Sequence, residues 1–184
     1  MFLLIVTVAF CAQAQDAVTK IANLGQMSYN EASSAVKAVV NQNRQLAGTL
    51  TGEIEQPNFP PDSKTCAIYL LGELQPRDIS SIRALAENID FTASRRDIGL
   101  TIGRWGTYPA QEALVKIGMP AVYVILRVYL PTENNQLRRH LMCSVLRGVL
   151  GKDIGTVVLK QRLDKESEPI KKANLQAVLK ELEK

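Results

Sequence analysis

Apolar residues recur along most of this chain at three- and four-residue spacing, the period of an α-helix with one covered face. Ser28-Tyr29-Asn30-Glu31 has the capping-box spacing, a Ser to accept a backbone N–H and a Glu three residues on to reach back. It predicts a long helix to about Ala47 or Leu50, with Ala32, Ala35, Val36, Val39, Val40 and Leu46 largely on one face and Lys37, Asn43 and Arg44 outside it. The prolines within residues 56–63 oppose regular structure and predict a linker into a second unit. Thr65 to Leu74 reads as an apolar helix stopped by Pro76, and Asp78 as the cap of a helix to about Asn88. Residues 89–107 hold three Gly and three Arg with little sustained period, which predicts a long loop or irregular insert.

The helical pattern restarts at Tyr108-Pro109. Ala113, Leu114 and Ile117 line one side of a short helix, Gly118 suits its left-handed end, and Pro120 suits the first turn of the next helix. Val122, Val124, Ile125, Leu126, Val128, Tyr129 and Leu130 make that next helix apolar nearly all round, which predicts burial. Beyond a turn at residues 131–134, Leu137, Leu141, Val145, Leu146 and Val149 carry a helix to about Leu150. Gly151 ends it, and Asp153 caps another through Leu163. Glu168-Pro169 opens the last helix, with Ile170, Leu175, Val178, Leu179 and Leu182 inward and Lys171, Lys172, Lys180 and Glu181 outward. No segment alternates with period two for long enough to make a strand, so the predicted class is all-α.

Beneath these helices lies a repeat. Second helices of successive pairs begin near Asp78, Pro120 and Asp153, steps of 42 and 33 residues, within the range of helical-hairpin repeats. Asp78-Ile79-Ser80-Ser81-Ile82 parallels Asp153-Ile154-Gly155-Thr156-Val157, and each follows a helix with Cys66-Ala67-Ile68 or Cys143-Ser144-Val145. Pro109 to Val122, a short helix, a Gly turn and a Pro-started second helix, resembles the HEAT and armadillo-type repeats. The resemblance covers roughly residues 63–164, with 168–184 as a terminal cap. It implies a short right-handed α-α superhelix with an extra N-terminal helix, used mainly as a binding surface, and no particular chemistry. It also places Cys66 and Cys143 on equivalent first helices with one pair between them. That separation exceeds disulfide reach, so both are expected as buried, unjoined thiols.

Composition narrows the class without naming an activity. Of 184 residues, 46% are hydrophobic and 22% charged, a globular balance rather than a disordered, collagen-like or disulfide-scaffold one. The uncharged opening, apolar from Phe2 to Phe10 and followed by Ala12-Gln13-Ala14, reads as a signal peptide cut after Ala14. The expected layout is therefore a signal peptide at 1–14, an N-terminal helix with Pro-rich linker at 15–62, and the repeat domain at 63–184 with its insert at about 89–107. Export to a periplasmic or extracellular space follows, with no transmembrane segment after cleavage. Residues 135–184 hold 11 Lys and Arg against 6 Asp and Glu, which allows weak contact with anionic surfaces through a basic C-terminal region. Nucleic acid is not an expected partner of an exported chain.

Candidate chemistry is sparse. One His and three Cys are too few for a Cys/His zinc pattern, so no metal and no cofactor is expected. His140 and Cys143 are three apart on one predicted helix, the minimum for a His-activated thiolate, but no orienting carboxylate is identifiable. Glu53 with Glu55, and Glu166 with Glu168, fall in predicted linkers and turns and are expected to be solvated. Gly99, Gly103 and Gly106 lack the strand-to-helix setting of a phosphate loop. In the insert, Arg95, Arg96, Arg104 and Trp105 combine the residue types enriched where proteins bind one another. They are the expected partner-binding residues, and no catalytic residue is assigned. The expected function is a non-catalytic exported scaffold for a protein partner. The alternative is an enzyme or enzyme accessory subunit with an unrecognised site on the concave face.

Overall fold

The computed structural model describes residues 46–92 and 107–184, and among them every regular element is helical. The chain divides into two compact units, Met1–Pro76 with Phe91–Pro109 and Arg77–Asp90 with Ala110–Lys184. The expected signal peptide and most of the expected first helix lie outside the described residues.

In the first unit, helix α1 (Leu46–Ile54) carries Leu46, Leu50 and Ile54 at four-residue spacing, and all three are buried. They pack against α2 (Pro61–Leu74), which buries Cys66, Ala67, Ile68, Leu70 and Leu71. Burying a Leu or Ile side chain contributes about 1.5–3 kcal/mol, so this pair of helices is held by its apolar stripes. The break expected over 56–63 is shorter than its prolines implied. Pro61 is the first residue of α2, where a missing N–H costs nothing because no intrahelical acceptor precedes it. The segment between α1 and α2 is thus a turn joining two packed helices, and the compact unit continues to Pro76. Helix α2 ends where expected: Gln75 adopts a left-handed conformation (φ 48°) and its N–H closes on Leu71 O.

The second unit begins with Asp78. Its carboxylate accepts from Ser81 N at 2.8 Å and from the Ser80 and Ser81 hydroxyls, starting α3 (Ile79–Glu87). Burial pushes this carboxyl up, but those hydrogen bonds outweigh it and hold it below the ordinary Asp value. Helix α3 buries Ile82, Ala84, Leu85 and Ala86. Helix α4 (Pro109–Ile117) ends at Gly118 (φ 77°), and α5 (Met119–Val124) continues into one π-helical turn, Ile125–Tyr129. The expectation that this helix is covered all round is corrected here. Val122, Val124, Ile125, Leu126 and Leu130 are buried, but Tyr123 is exposed, Tyr129 half-buried and Val128 41% exposed. An i→i+5 turn holds one residue more than an α-turn, which shifts the phase of the apolar stripe and carries Val128 outward.

Asn135 caps α6 (Gln136–Asp164) by accepting from Leu137 N at 2.9 Å and Arg138 N at 3.2 Å. Gly151 (φ 74°, ψ 168°) interrupts α6 as the sequence predicted. Asp153 already has helical dihedrals, so it sits in the first turn of the second half rather than capping it. Helix α7 (Pro169–Leu182) lays Leu175, Val178 and Leu182 against α6. A Cβ at Gly155 would stand 3.1 Å from Leu182 Cδ2, so a glycine there permits the close approach of α7. Ile170, expected inward, is 71% exposed. It lies about 100° of rotation off the stripe of Leu175, Val178 and Leu182 that meets α6.

Three residues among those described have positive φ: Gln75, Gly118 and Gly151. Each closes one helix just before the next begins, at steps of 43 and 33 residues.

Candidate functional site

Arg95, Arg96, Arg104 and Trp105, with Gly99, Gly103 and Gly106, lie outside the described residues. Of the insert, residues 89–92 and 107 are described. In the second unit, Asp90 receives Arg138 Nη1 at 2.7 Å. In the first, Lys64 Nζ stands 5.4 Å from the centre of the Phe91 ring. Burial lowers the Lys64 ammonium below its ordinary value, while the ring face attracts its charge.

The same Arg138 is the centre of the densest polar web in the second unit. Its Nε donates to Glu133 Oε2 at 2.9 Å, Nη1 also to Glu87 O at 2.9 Å, and Nη2 to Ala86 O at 3.1 Å. One planar guanidinium thereby satisfies the C-terminal carbonyls of α3 and two carboxylates at once. Burial opposes its charge, yet Glu133 and Asp90 more than offset that and raise its pKa. Sequence reasoning missed this residue. Its partners lie up to 52 positions away, and no local spacing signals them.

His140 and Cys143 share the first half of α6 as expected, and the structure adds the carboxylate that sequence reasoning did not find. Glu181, on α7, places Oε1 2.5 Å from His140 Nδ1. The arrangement nevertheless differs from a nucleophile with its base. His140 projects outward, with its side chain 61% exposed, whereas Cys143 is a free thiol, buried, with Sγ 4.0 Å from Val178 O. Burial first, and then the facing Glu181 carboxylate, push the Cys143 thiol up to about 12, against smaller opposing effects of Arg139 and Arg147. A nucleophilic thiol requires the opposite shift. Arg147 completes the cluster by donating to the main-chain oxygens of Glu181 at 3.3 Å and Leu182 at 3.0 Å, satisfying carbonyls at the end of α7. The cluster therefore clamps the end of α7 onto α6.

Of the paired carboxylates, Glu53 alone departs from the expected placement; Glu55, Glu166 and Glu168 lie in turns as expected. Glu53 is buried on α1, and burial raises its carboxyl above the ordinary Glu value. Glu55 is exposed. Glu166 accepts from Arg162 at 2.8 Å and from Glu168 N at 3.2 Å, and Glu168 pairs with Lys171 at 2.6 Å. The last two carboxylates thus stabilise the turn between α6 and α7. Among the described residues, no group of three or more His, Cys, Asp or Glu is placed to hold a metal ion, and no helix is long and apolar enough to cross a membrane.

Comparison with protein-family models, with curated proteins and with solved structures yields no match to this chain.

Proposed function

We propose that this protein is an exported helical-repeat scaffold that binds a protein partner without catalysing a reaction on it. The observation that carries the reading is the recurrence of a positive-φ junction, Gln75, Gly118 and Gly151, between successive helices at 43- and 33-residue steps. It agrees in spacing with the hairpin repeat read from the sequence. Stacked hairpins present side chains of successive second helices along one surface, and such surfaces bind extended partners. The partner contacts belong to the insert, through Arg95, Arg96, Arg104 and Trp105. The one His–Cys pair supports the same reading, because its thiol is buried and pushed toward the unreactive form.

Affinity capture from cell-envelope extracts is the test, with Trp105→Ala as the paired variant. Wild type retains a stable protein partner, and Trp105→Ala loses it at unchanged thermal stability. Turnover by the isolated protein in a substrate screen would overturn the reading in favour of an enzyme. N-terminal sequencing of material from an exporting host should begin at or near Gln15, and retained Met1 would remove the export part of the proposal.

A further inference from the structure

Among the described residues, the second half of α6, past Gly151, is covered on the side that meets α7. Gly155 and Leu159 are buried beneath α7, while Ile154 and Val157 stand 60% and 54% exposed on the other side. Three residues apart on a helix, they form one continuous apolar spot. The other close pair of exposed large hydrophobics is Met119 with Tyr123, and there Arg127 already donates to the Tyr123 hydroxyl and lies over its ring. Nothing comparable covers Ile154 and Val157 among the described residues.

The charges beside this spot are self-complementary. Asp153 and Lys160 are both exposed, seven residues apart, and so flank the spot along the same edge. When two identical helices lie antiparallel, an axis that sets Ile154 of one copy against Val157 of the other also brings Asp153 of each beside Lys160 of the other. This is the g-to-g′ pairing of antiparallel coiled coils, with Ile154 and Val157 at the a and d positions. Four branched aliphatic side chains would form the centre and two ion pairs the rim, an isologous contact in which each residue is used twice. Lys160 Nζ also lies 3.1 Å from Glu183 and remains 54% exposed. An ammonium with three donors can hold Glu183 and an incoming Asp153 together.

We propose that this face is a self-association surface, and that its occupant is a second copy of the same chain, bound antiparallel through Ile154 and Val157. The segment from Asp153 to Lys160 is only about 10 Å long, so the contact belongs with small, transient interfaces rather than obligate ones. The proposal uses a different stretch of chain from the insert and stands whether or not the insert binds a partner.

Sedimentation equilibrium of the full chain at low ionic strength, at concentrations up to about 1 mM, tests it. Wild type shows a reversible monomer–dimer equilibrium that weakens as salt is added. Asp153→Lys alone and Lys160→Asp alone each weaken dimerisation at least about tenfold, because each sets like charges across the axis. An equimolar mixture of the two variants restores dimer, since each supplies the charge the other lacks. Ile154→Ser, at an exposed site, also weakens the dimer and serves in place of Lys160→Asp if repulsion from Glu183 unfolds that variant. Wild type that stays monomeric throughout overturns the proposal and leaves the spot to an unlike partner. A dimer indifferent to Asp153→Lys and Ile154→Ser overturns the choice of surface, and a mixture of folded charge variants that remains monomeric overturns the antiparallel register.

Discussion

At the scale of single residues, burial and partners divide the titratable groups between them: hydrogen bonds and charges prevail at Asp78 and Arg138, burial at Glu53 and Cys143. Cys143 is the clearest case of burial. With its thiol pushed up to about 12, only about one molecule in ten thousand carries the thiolate at pH 8. Alkylation of Cys143 at that pH should therefore follow unfolding, which is measured by mass spectrometry of native and denatured samples; rapid native labelling would contradict the burial. Glu53 makes a pH prediction. Burial raises its folded pKa above the ordinary value of 4.5, so the folded state favours the protonated form. The associated stability is present below about pH 4.5 and is lost as pH rises through the folded pKa. Glu53→Gln, which stays neutral, should accordingly raise the melting temperature at pH 7 and lose its advantage as the pH falls to 4. An advantage that persisted unchanged into acid would mean that packing, and not charge, is responsible.

Elements begin and end where short-range chemistry sets them, and these boundaries were legible in the sequence. Asp78, Pro109, Gly118, Pro120, Gly151 and Pro169 act through the backbone within one turn of themselves. A linear pattern suffices to read them. The π-helical turn at Ile125–Tyr129 and the exposure of Ile170 were not legible, because they depend on phase against a neighbouring helix rather than on composition. The junction residues differ among themselves in a testable way. Gly151, at φ 74° and ψ 168°, occupies a region that is essentially closed to other residues. Gln75, at φ 48° and ψ 56°, is left-handed helical, a milder departure. Gly151→Ala should cost about 1–3 kcal/mol, whereas Gln75→Gly should be neutral or stabilise by up to about 1 kcal/mol. Urea unfolding of both variants checks the contrast. Equal effects would show that the two junctions do not differ in strain.

At the scale of the whole molecule, what the sequence could not show is which distant groups meet. Glu181 reaches His140 across 41 positions, and Arg138 reaches Ala86 across 52. Both pairings arise from helix packing within the second unit, and the outward position assigned to Glu181 did not contain the first of them. Arg138 turns this into the strongest stability prediction. It ties the end of α3 and Asp90 to the start of α6, and its side chain is only 18% exposed. Removing it takes the guanidinium from the partly covered carboxylate of Glu133, at 13% exposure, which keeps the Asn135 N–H on its other oxygen, and leaves two carbonyls at the end of α3 without this donor. Breaking a covered charge pair by deleting one partner costs about 3–5 kcal/mol, and less where solvent can reach the remaining group. Because Asp90 is 36% exposed, Arg138→Ala should fall near the lower end, about 2–4 kcal/mol. Arg138→Lys should recover little, since an ammonium lacks the planar fork that reaches carboxylates and carbonyls together. The loss should also be local first. Hydrogen exchange in α3 should accelerate more than in α7, whose own clamp through Arg147 is untouched. Uniform acceleration across the second unit would mean that the web around Arg138 contributes to global stability without fixing α3 in particular.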